Sequence, residues 1–272
     1  MLQTNESSKL GTGNSVNTCI VVPCYNEEPN LKIEDYQEFL IHSPHALICF
    51  VDDGSNDRTG SMLTEVERSH TVNVKVITLE KNVGKAEAVR QGILYCNENY
   101  NHTLIGFLDA DLATPLSEFV RVSERLVNGI SFAFGSRIRI LGSEIDRTAF
   151  RFYTGRAIAS IISNLLGLNV YDTQCGCKVF SRQLSVHLFR DQFVSRWLFD
   201  VELFFKVNNL YGKKVGLEKM EEVPLKKWIH TGNSKIKLSY FFKLWIDLIK
   251  IRRKYKVMGA GLWKKADKHT IQ

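Results

Sequence analysis

Five short apolar runs, each followed at once by a polar cluster, constrain the fold of this chain more than any other feature of its sequence. The clusters are YNEE, DDGSND, KNVGK, DAD and GSR. Segments with helical spacing lie between the runs, and this alternation predicts βαβ units. We therefore expect an α/β fold with a mostly parallel central sheet flanked by helices. Because ligands bind at the carboxyl ends of such strands, the clusters predict one shared site.

The length and composition predict one main domain with flanking segments. The chain has 272 residues, 44% of them hydrophobic and 24% charged, as in ordinary globular proteins. Residues 1–17 are polar and lack the apolar core of a signal peptide, so we expect a disordered segment there. The main domain is expected over residues 18–235, followed by a helix and tail over residues 236–272. The stretch Ala157–Val170 is too short to cross a membrane and predicts a packed helix.

The cysteines and the net charge narrow the class of partner. Without a secretion signal, we expect reduced thiols in a cytosolic setting. Cys175 and Cys177 form a CxC pair, but no second cysteine or histidine pair completes a zinc site. The net charge of +7 favours anionic partners as a class. Nucleic acid is not expected among them, because no aromatic-interleaved sheet motif is present.

The DAD triplet places two carboxylates at the exit of the fourth predicted strand. In extended geometry, Asp109 and Asp111 leave the chain on the same face, where they can bind one hard divalent cation. Mg²⁺ or Mn²⁺ would keep open positions there for phosphate oxygens. The alternative is that Asp111 or Thr114 caps the helix expected to begin at Pro115. A cap made by Thr114 would leave the metal role of Asp109 possible.

The DDGSND cluster ends the second predicted strand. Asp52 could accept hydrogen bonds from a base or a ribose. The alternative for the rest of the cluster is structural, with Ser55 and Asp57 forming an Asx turn and capping the next helix.

Taken together, IVVPCYNEE, VDDGSNDRT, NVGKAEAVRQG, FLDADLATP, FGSR and DTQCGCKVFSR resemble the motifs of family 2 glycosyltransferases, which have the GT-A fold. Within that family the chain is similar to the dolichyl-phosphate glucosyltransferase branch and its bacterial polyprenyl-phosphate relatives. The resemblance covers about residues 18–256, with the motifs in the family's order. It implies an inverting transfer of a sugar from a nucleotide diphosphate sugar by a GT-A catalytic domain.

The resemblance also implies the donor site. The implied donor pocket is lined by Pro23, Tyr25, Glu27, Asp52, Asp53, Lys81, Gly84, Lys85, Asp109 and Gln174. Asp109 would contact the ribose and the metal, and Asp111 would bind the Mg²⁺ or Mn²⁺ that bridges the diphosphate. The physical logic agrees, since a divalent ion stabilises the charge that develops on the leaving nucleoside diphosphate.

On the acceptor side, the resemblance implicates two arginines. Arg137 and Arg151 match arginines that face the acceptor phosphate in polyprenyl-phosphate relatives, and the guanidinium fork suits a phosphate. The alternative for each is a surface ion pair, and Arg147 and Arg156 compete with Arg151 for its role. Cys177 stands where the family usually has an aromatic residue, so the local packing is expected to differ from that of the family.

Asp200 falls where many family 2 enzymes have a general base. A hydroxyl acceptor needs a base, whereas an ionised phosphate does not, and Asp200 would then only orient. Glu202 is the structural alternative, with a pairing to Lys206 one helical turn on. The loop with Ser234 and Lys235 would close over the diphosphate or remain a solvated basic loop.

The C-terminal region predicts a basic amphipathic helix. Residues 235–256 contain eight lysines or arginines and one acidic residue, Asp247. One helical stripe holds Leu238, Phe241, Phe242, Trp245, Leu248 and Ile249. Such a helix either docks on the catalytic domain or lies on an anionic membrane. We expect peripheral contact with the cytoplasmic face of the membrane.

These observations predict a metal-dependent transfer of a hexose, with glucose from UDP-glucose as the expected donor, to a polyprenyl phosphate. One alternative is a polysaccharide glycosyltransferase that acts on a sugar hydroxyl, with Asp200 as the base. A second is a non-catalytic nucleotide-sugar-binding protein, which would be expected to lose acidic residues that Asp109 and Asp111 retain. Nothing in the loops, taken physically, separates uracil from guanine.

Overall fold

A mixed seven-stranded sheet forms the centre of the molecule, with strand order β3-β2-β1-β4-β7-β5-β8. The structure of the protein, a computed structural model, describes residues 16–146, 149–229 and 238–258, apart from the side chains of 149–154, 157, 238–243 and 256–258. The strands are β1 (Thr18–Cys24), β2 (Ala46–Asp52), β3 (Val74–Thr78), β4 (Leu104–Phe107), β5 (Phe132–Ser136), β6 (Glu144–Ile145), β7 (Lys178–Ser181), β8 (Met220–Pro224) and β9 (Lys227–Trp228). The helices are α1 (Ile33–His42), α2 (Thr59–Ser69), α3 (Lys85–Asn99), α4 (Leu116–Ser123), α5 (Ala149–Leu166), α6 (Arg182–Phe189), α7 (Phe199–Tyr211), α8 (Lys213–Glu218) and α9 (Leu238–Met258).

The direction of β7 sets this sheet apart from a purely parallel one. β1, β2, β3 and β4 pair in parallel, as do β5 and β8, whereas β7 runs antiparallel between β4 and β5. The prediction of a mostly parallel sheet flanked by helices is therefore confirmed. β6 and β9 form a separate two-stranded parallel ribbon beside it.

Alternating side chains divide the core into two layers. Cys19 and Val21 of β1 face one layer, and Ile20 and Val22 face the other, as the period of two in a strand requires. The first layer is completed by α3, α6, α7 and α9, and the second by α1, α2 and α4. At Gly92 of α3, a β-carbon would lie 2.5 Å from Val21 Cγ1, so this glycine lets the helix approach the sheet closely.

Local details differ from the sequence predictions at three elements. Helices α1 and α6 were not predicted individually from the sequence. Helix α4 begins at Leu116 with Pro115 at its N-cap, and no side chain caps it, so the predicted cap by Asp111 or Thr114 is wrong. The reason is that the Asp111 carboxylate instead accepts a hydrogen bond from the nearer backbone N–H of Ala113 (3.0 Å).

Helix α9 docks on the catalytic domain through a face that overlaps the predicted stripe at Leu248 and is otherwise rotated away from it. Its buried side chains are Leu244, Leu248, Ile251 and Tyr255, which belong to the first core layer. Trp245 and Ile249, which the stripe included, are about half exposed. Of the described helices, none has the length and apolar character needed to cross a membrane. The division of the chain at residue 235 stays a prediction.

Candidate active site

The predicted site residues gather where the carboxyl ends of the parallel strands meet the amino end of β7. This edge, called the rim below, carries the loops after β1, β2, β3, β4 and β5 and the segment before β7. Several predicted residues lie outside the described residues: the side chain of Arg151, and also Arg147, Ser234 and Lys235.

The loops after β1 and β2 are joined by backbone-to-side-chain hydrogen bonds. The N–H of Asn26 donates to Ser55 Oγ (3.0 Å), and the N–H of Glu28 donates to Asp57 Oδ2 (3.2 Å). Asp57 also accepts a bond from the N–H of Thr59 at the start of α2 (3.0 Å). These contacts support the structural alternative for Ser55 and Asp57, which hold the two loops together.

Asp53 fixes the loop between β3 and α3. Its two carboxylate oxygens accept hydrogen bonds from the N–H groups of Val83 (2.7 Å) and Gly84 (2.9 Å). Burial raises the pKa of Asp53, and these two bonds partly offset that effect. Gly54 has φ +68°, and a β-carbon there would lie 2.7 Å from the Lys81 carbonyl carbon. Asp53 therefore shapes the predicted pocket by holding its backbone.

The other predicted donor residues surround this loop. Asp52 is buried, and its Oδ1 accepts a bond from the N–H of Ser55 (3.0 Å). Tyr25 and Lys81 are exposed, and Pro23 is half-buried. They line the rim without closing it.

Asp109 lies at the centre of the rim in an ion pair with Lys85. Lys85 Nζ is 2.5 Å from Asp109 Oδ1. Burial opposes the charge of both groups, but the attraction to Lys85 outweighs it and lowers the pKa of Asp109. The carboxylates of Asp109 and Asp200 likewise outweigh burial and raise the pKa of Lys85. Both groups are therefore charged.

Gly176, which sequence reasoning missed, lies directly against this carboxylate. A β-carbon at Gly176 would be 2.0 Å from Asp109 Oδ2 and 2.3 Å from its carboxyl carbon, far inside van der Waals contact. Any other residue would displace the Asp109 side chain. The glycine between two cysteines in DTQCGCK was the available signal.

Asp111 occupies a constrained turn beside Asp109. The N–H of Ala113 donates to Asp111 Oδ1 (3.0 Å), and Leu112 between them has the unusual φ of +50°. The buried Tyr36 hydroxyl donates to the carbonyl of Ala110 (3.0 Å) and fixes the triplet from below. A left-handed, buried leucine is strained, and such strain is typical of functional sites.

The acidic group fits a divalent cation bound together with a phosphate. Burial raises the pKa of Glu27, and the negative charges of Asp111 and Asp109 raise it further, so three carboxylates lie within mutual influence. Across the residues described, no set of three histidine, cysteine or acidic side chains forms a complete metal cage. Mg²⁺ sites of the kind that also use substrate phosphates need only one or two carboxylates, which Asp109 and Asp111 can supply.

A buried ion pair underlies the site between β7 and α7. Lys178 is fully buried, and its Nζ lies 2.7 Å from Asp200 Oδ1 and donates to the carbonyl of Cys175 (2.6 Å). The Lys178–Asp200 contact has ion-pair distance without hydrogen-bond alignment, so Asp200 Oδ1 has no hydrogen-bond partner. Sequence reasoning found Asp200 but missed Lys178, whose signal was a lysine placed directly before a strand-like VF.

Arg137 is held in a second ion pair on the other side of β7. Its Nε and Nη2 donate to the two oxygens of Asp172 (2.6 and 2.8 Å), and its guanidinium lies 5.6 Å from the centre of the Trp228 ring. The Asp172 N–H donates in turn to Glu222 Oε1 (2.7 Å). The pairing is the predicted alternative, although it is largely buried instead of exposed. Gln174, half-buried, donates its N–H to Asp172 Oδ1 (3.2 Å).

Two other sequence alternatives are resolved by their contacts. Arg156 packs its guanidinium 3.6 Å from the centre of the Tyr171 ring and donates to the Tyr171 carbonyl (3.0 Å). Glu202 accepts bonds from the N–H of Ser195 (2.9 Å) and the hydroxyl of Tyr255 (3.1 Å), so the pairing with Lys206 is wrong. Lys206 donates instead to the carbonyls of Leu188 and Asp191.

All six cysteines are buried free thiols. Burial raises the pKa of Cys175 to about 11 and that of Cys177 well above its usual value, so neither is a ready thiolate ligand. The CxC pair is therefore part of the packing around β7.

Comparison with known proteins agrees with this geometry. The model of the family described as Glycosyl transferase family 2 matches residues 19–189. A dolichyl-phosphate beta-glucosyltransferase of Trichomonas vaginalis is 32% identical over 93% of this chain and 75% of its own length. The human dolichyl-phosphate beta-glucosyltransferase is 31% identical over 83% of this chain and 76% of its own length.

The fold also matches solved structures of glucosyl-3-phosphoglycerate synthase from Mycobacterium tuberculosis. The complex with Mn²⁺, UDP-glucose and phosphoglyceric acid has a TM-score of 0.62 at 18% identity, over 88% of this chain and 79% of that one. The complex of the same enzyme with Mg²⁺ and UDP gives the same TM-score. Sheet, rim and sequence similarity lead to one conclusion: the chain is a glycosyltransferase and belongs to glycosyl transferase family 2.

Proposed function

We propose that this glycosyltransferase moves glucose from UDP-glucose to a polyprenyl phosphate such as dolichyl phosphate. The observation that carries the proposal is the acidic pair Asp109 and Asp111 at the end of β4, beside Lys85, in a chain similar over most of its length to dolichyl-phosphate beta-glucosyltransferases. The M. tuberculosis neighbour, which binds UDP-glucose, has the same fold.

Asp109 and Asp111 would hold a divalent cation, Mg²⁺ or Mn²⁺. Bound there, the cation would neutralise charge that develops on the leaving diphosphate. The Lys85 ammonium partly neutralises the charge of Asp109. From this position at the rim it would contact a donor phosphate as well. Gly176 and the turn at Leu112 keep the two carboxylates in place.

The predicted donor loops would bind the nucleoside. Asp52, Pro23 and Tyr25 lie at the ends of β1 and β2. Asp53 binds the N–H groups of Val83 and Gly84, and would so hold the loop from Lys81 to Gly84 as a wall of the pocket. Gln174 would face the sugar from the segment before β7. These roles follow from position on the rim and from the family's motifs.

The Lys178–Asp200 pair favours a phosphate acceptor over a hydroxyl acceptor. A general base needs an oxygen within hydrogen-bond reach of the acceptor hydroxyl, and Asp200 Oδ1 is instead buried against the Lys178 ammonium at 2.7 Å. An acceptor phosphate is ionised at neutral pH and needs no base. Asp200 would then orient the reacting groups, with Lys178 holding its carboxylate in place.

Arg137 would contact the acceptor phosphate from its position against Asp172. Two of its donors are bound to Asp172, and the guanidinium plane is fixed over Trp228. An arginine held in this way is preorganised, so binding an anion costs little side-chain entropy. Arg151 remains a candidate for the same role.

Helix α9 would contact the cytoplasmic face of the membrane. With Leu244 and Leu248 buried against the domain, its outer side carries Trp245, Ile246 and Ile249. Exposed basic residues continue that side, namely Lys250, Arg252 and Arg253. Each basic residue near an anionic surface contributes about 1 kcal/mol to the free energy of membrane binding, so the contact would be peripheral and sensitive to salt.

The test is a nucleotide-release assay on the full chain. UDP-glucose, UDP-N-acetylglucosamine and GDP-mannose are each offered with Mn²⁺ and a short-chain polyprenyl phosphate. In parallel, each is offered with a saccharide that carries a free hydroxyl, called the alcohol acceptor. We expect release with UDP-glucose and the lipid phosphate, and its loss with EDTA. Release that requires the alcohol and ignores the phosphate would overturn the acceptor.

Asp111→Asn tests the cation site. We expect turnover to fall at least about a hundredfold, because half of the proposed ligand pair loses its charge. Glu80→Gln, an exposed acid after β3, is the matched control and should keep full activity. Turnover within about twofold of the parent would remove Asp111 from the metal shell.

A further inference from the structure

An exposed apolar turn projects from the rim between β5 and β6. Leu141 at its tip is 105% exposed, and the adjacent Ile140 is 47% exposed. Single exposed apolar residues are common on protein surfaces and need no explanation. Two adjacent exposed apolar residues at the tip of a loop beside an active site are less common and indicate a contact surface.

The turn is rigid. Ser143 closes it by donating from Oγ to the Ile140 carbonyl (2.8 Å) and accepting from the Ile140 N–H (3.1 Å). The N–H of Ser143 donates to the same carbonyl (3.0 Å), and Gly142 supplies the φ of +82° that the reversal requires. The exposure of Leu141 is therefore a property of a closed turn and not of a loose loop.

The turn lies beside exposed lysines. The N–H of Glu144 donates to the Lys226 carbonyl (2.7 Å). Glu144 of β6 lies opposite Lys227 of β9 in the register of the two-stranded ribbon. Both lysines are exposed, as is the opposing charge of Glu144. Arg139, Lys226 and Lys227 together outnumber the two exposed acids of this region, Glu144 and Asp146. The apolar tip therefore adjoins a surface of net charge +1, which is complementary to anionic lipid headgroups.

The turn is also close to the predicted acceptor side of the site. β5 ends at Ser136, and Arg137 follows, paired with Asp172. Leu141 is four residues further along, so it lies within about 14 Å of Arg137 along the chain. A surface bound by the tip would be brought to the mouth of the site.

We propose that the Ile140–Leu141 turn inserts into the headgroup region of an anionic bilayer and so presents the site to a lipid-borne acceptor. The proposal rests on the proposed function, since that function supplies the reason for a membrane at the mouth of the site. The turn is a membrane contact of its own, separate in sequence and in the fold from the outer side of α9.

Vesicle binding tests the proposal with the full chain and without turnover. The probe is a vesicle of equal parts phosphatidylcholine and phosphatidylserine, compared with one of phosphatidylcholine alone. Leu141→Asp should lower the partition coefficient onto the anionic vesicle by about tenfold, the loss expected when one leucine no longer enters an apolar phase. Val72→Asp is the matched control, because Val72 is a half-exposed apolar loop residue ahead of β3, at the opposite edge of the sheet.

A second variant guards against an effect on folding. Leu141→Trp should bind the anionic vesicle at least as well as the parent and show a larger blue shift of tryptophan emission than the parent, whose Trp245 on α9 also faces the vesicle. Equal binding of Leu141→Asp and the parent, or a Leu141→Trp shift no larger than that of the parent, overturns the proposal. Leu141→Asp should also keep full turnover with a short-chain acceptor in solution; loss there would mark the turn as a lid over its own site and count against membrane contact.

The two proposals can fail separately. If vesicle binding depends on Leu141 but the lipid phosphate is not glucosylated, the proposed function fails and the membrane contact stands. If the lipid phosphate is glucosylated while Leu141→Asp binds vesicles normally, the membrane contact alone fails.

Discussion

The two halves of the rim are held together by different forces. Around β1, β2 and β3, backbone N–H groups donate to carboxylates and hydroxyls, as at Asp53, Asp57 and Ser55. Around β7, side chains pair as ions, Lys178 with Asp200 and Arg137 with Asp172. Hydrogen-bonded loops fix a backbone shape, which suits recognition of a nucleoside. Buried ion pairs fix charges, which suits an anionic acceptor.

The largest effect that this comparison predicts is on stability at the buried pair. Lys178→Met leaves Asp200 without its counterion in a dry site, and we expect the free energy of unfolding to fall by about 3–5 kcal/mol. Adding Asp200→Asn should restore part of that loss. A double-mutant cycle by urea denaturation measures the coupling. Additivity of the two changes within about 0.5 kcal/mol would show that the pair is not a unit.

The second effect is on activity at the junction of the two halves. Gly176→Ala forces the Asp109 carboxylate to move, because a methyl group would overlap it at 2.0 Å. We expect turnover with UDP-glucose to fall by about a hundredfold. Gly155→Ala is the matched control, since that helical glycine has nothing within 4 Å of the added carbon. A Gly176→Ala enzyme as active as the control would contradict the placement of Asp109.

The third effect tests the hydrogen-bonded half. Asp53→Asn replaces one acceptor oxygen with an amide that faces a backbone N–H, either that of Val83 or that of Gly84. We expect a loss of about 1–2 kcal/mol in stability and a larger rise in the KM for the donor than fall in kcat. Steady-state kinetics and thermal unfolding together distinguish this from a loss of catalysis. An unchanged KM would show that the loop does not line the donor pocket.

The smallest effect is expected at Lys206. This lysine donates to backbone carbonyls, whereas Lys178 contacts a carboxylate. Burial lowers the pKa of Lys206 to about 8, below its value in the unfolded chain. The unfolded state therefore binds more protons between about pH 8 and 10.5, and the contribution of Lys206 to stability rises with pH in that window. Relative to Lys206→Met, we expect the parent to gain about 1–2 kcal/mol from about pH 7 to about pH 9.5 in urea denaturation. A constant difference would contradict the lowered pKa.

The sequence predicted the strands and their polar exits because both are local patterns. β2 is apolar from Ala46 to Val51, ends at Asp52 and is followed by Asp53, so its burial and its polar exit follow directly. The direction of β7 could not be predicted, because its four residues carry no signal for parallel or antiparallel pairing. The short helix α6 after it has no long periodic pattern to reveal it.

The sequence indicated individual candidate residues of the site but not the contacts between them. Asp109, Asp111 and Asp200 were found from position and resemblance. Lys85 was among the predicted residues, but two neighbours were missed, because Lys178 and Asp200 are 22 positions apart and Gly176 acts through the absence of a side chain. The face of α9 was placed wrongly because the helix is apolar on two sides, and periodicity alone cannot choose which one is buried.

The antiparallel strand β7 has a consequence for how such enzymes diversify. The parallel strands reach the rim with their carboxyl ends, so they contribute the residues that follow each strand. β7 reaches the rim with its amino end, so it contributes the residues at its start, Cys175 to Lys178. The connection from α5 can therefore change in length or composition while every strand-to-helix crossover of the nucleotide half stays intact. Under the proposed function, a change in that one connection would alter the acceptor contacts and leave the donor loops as they are.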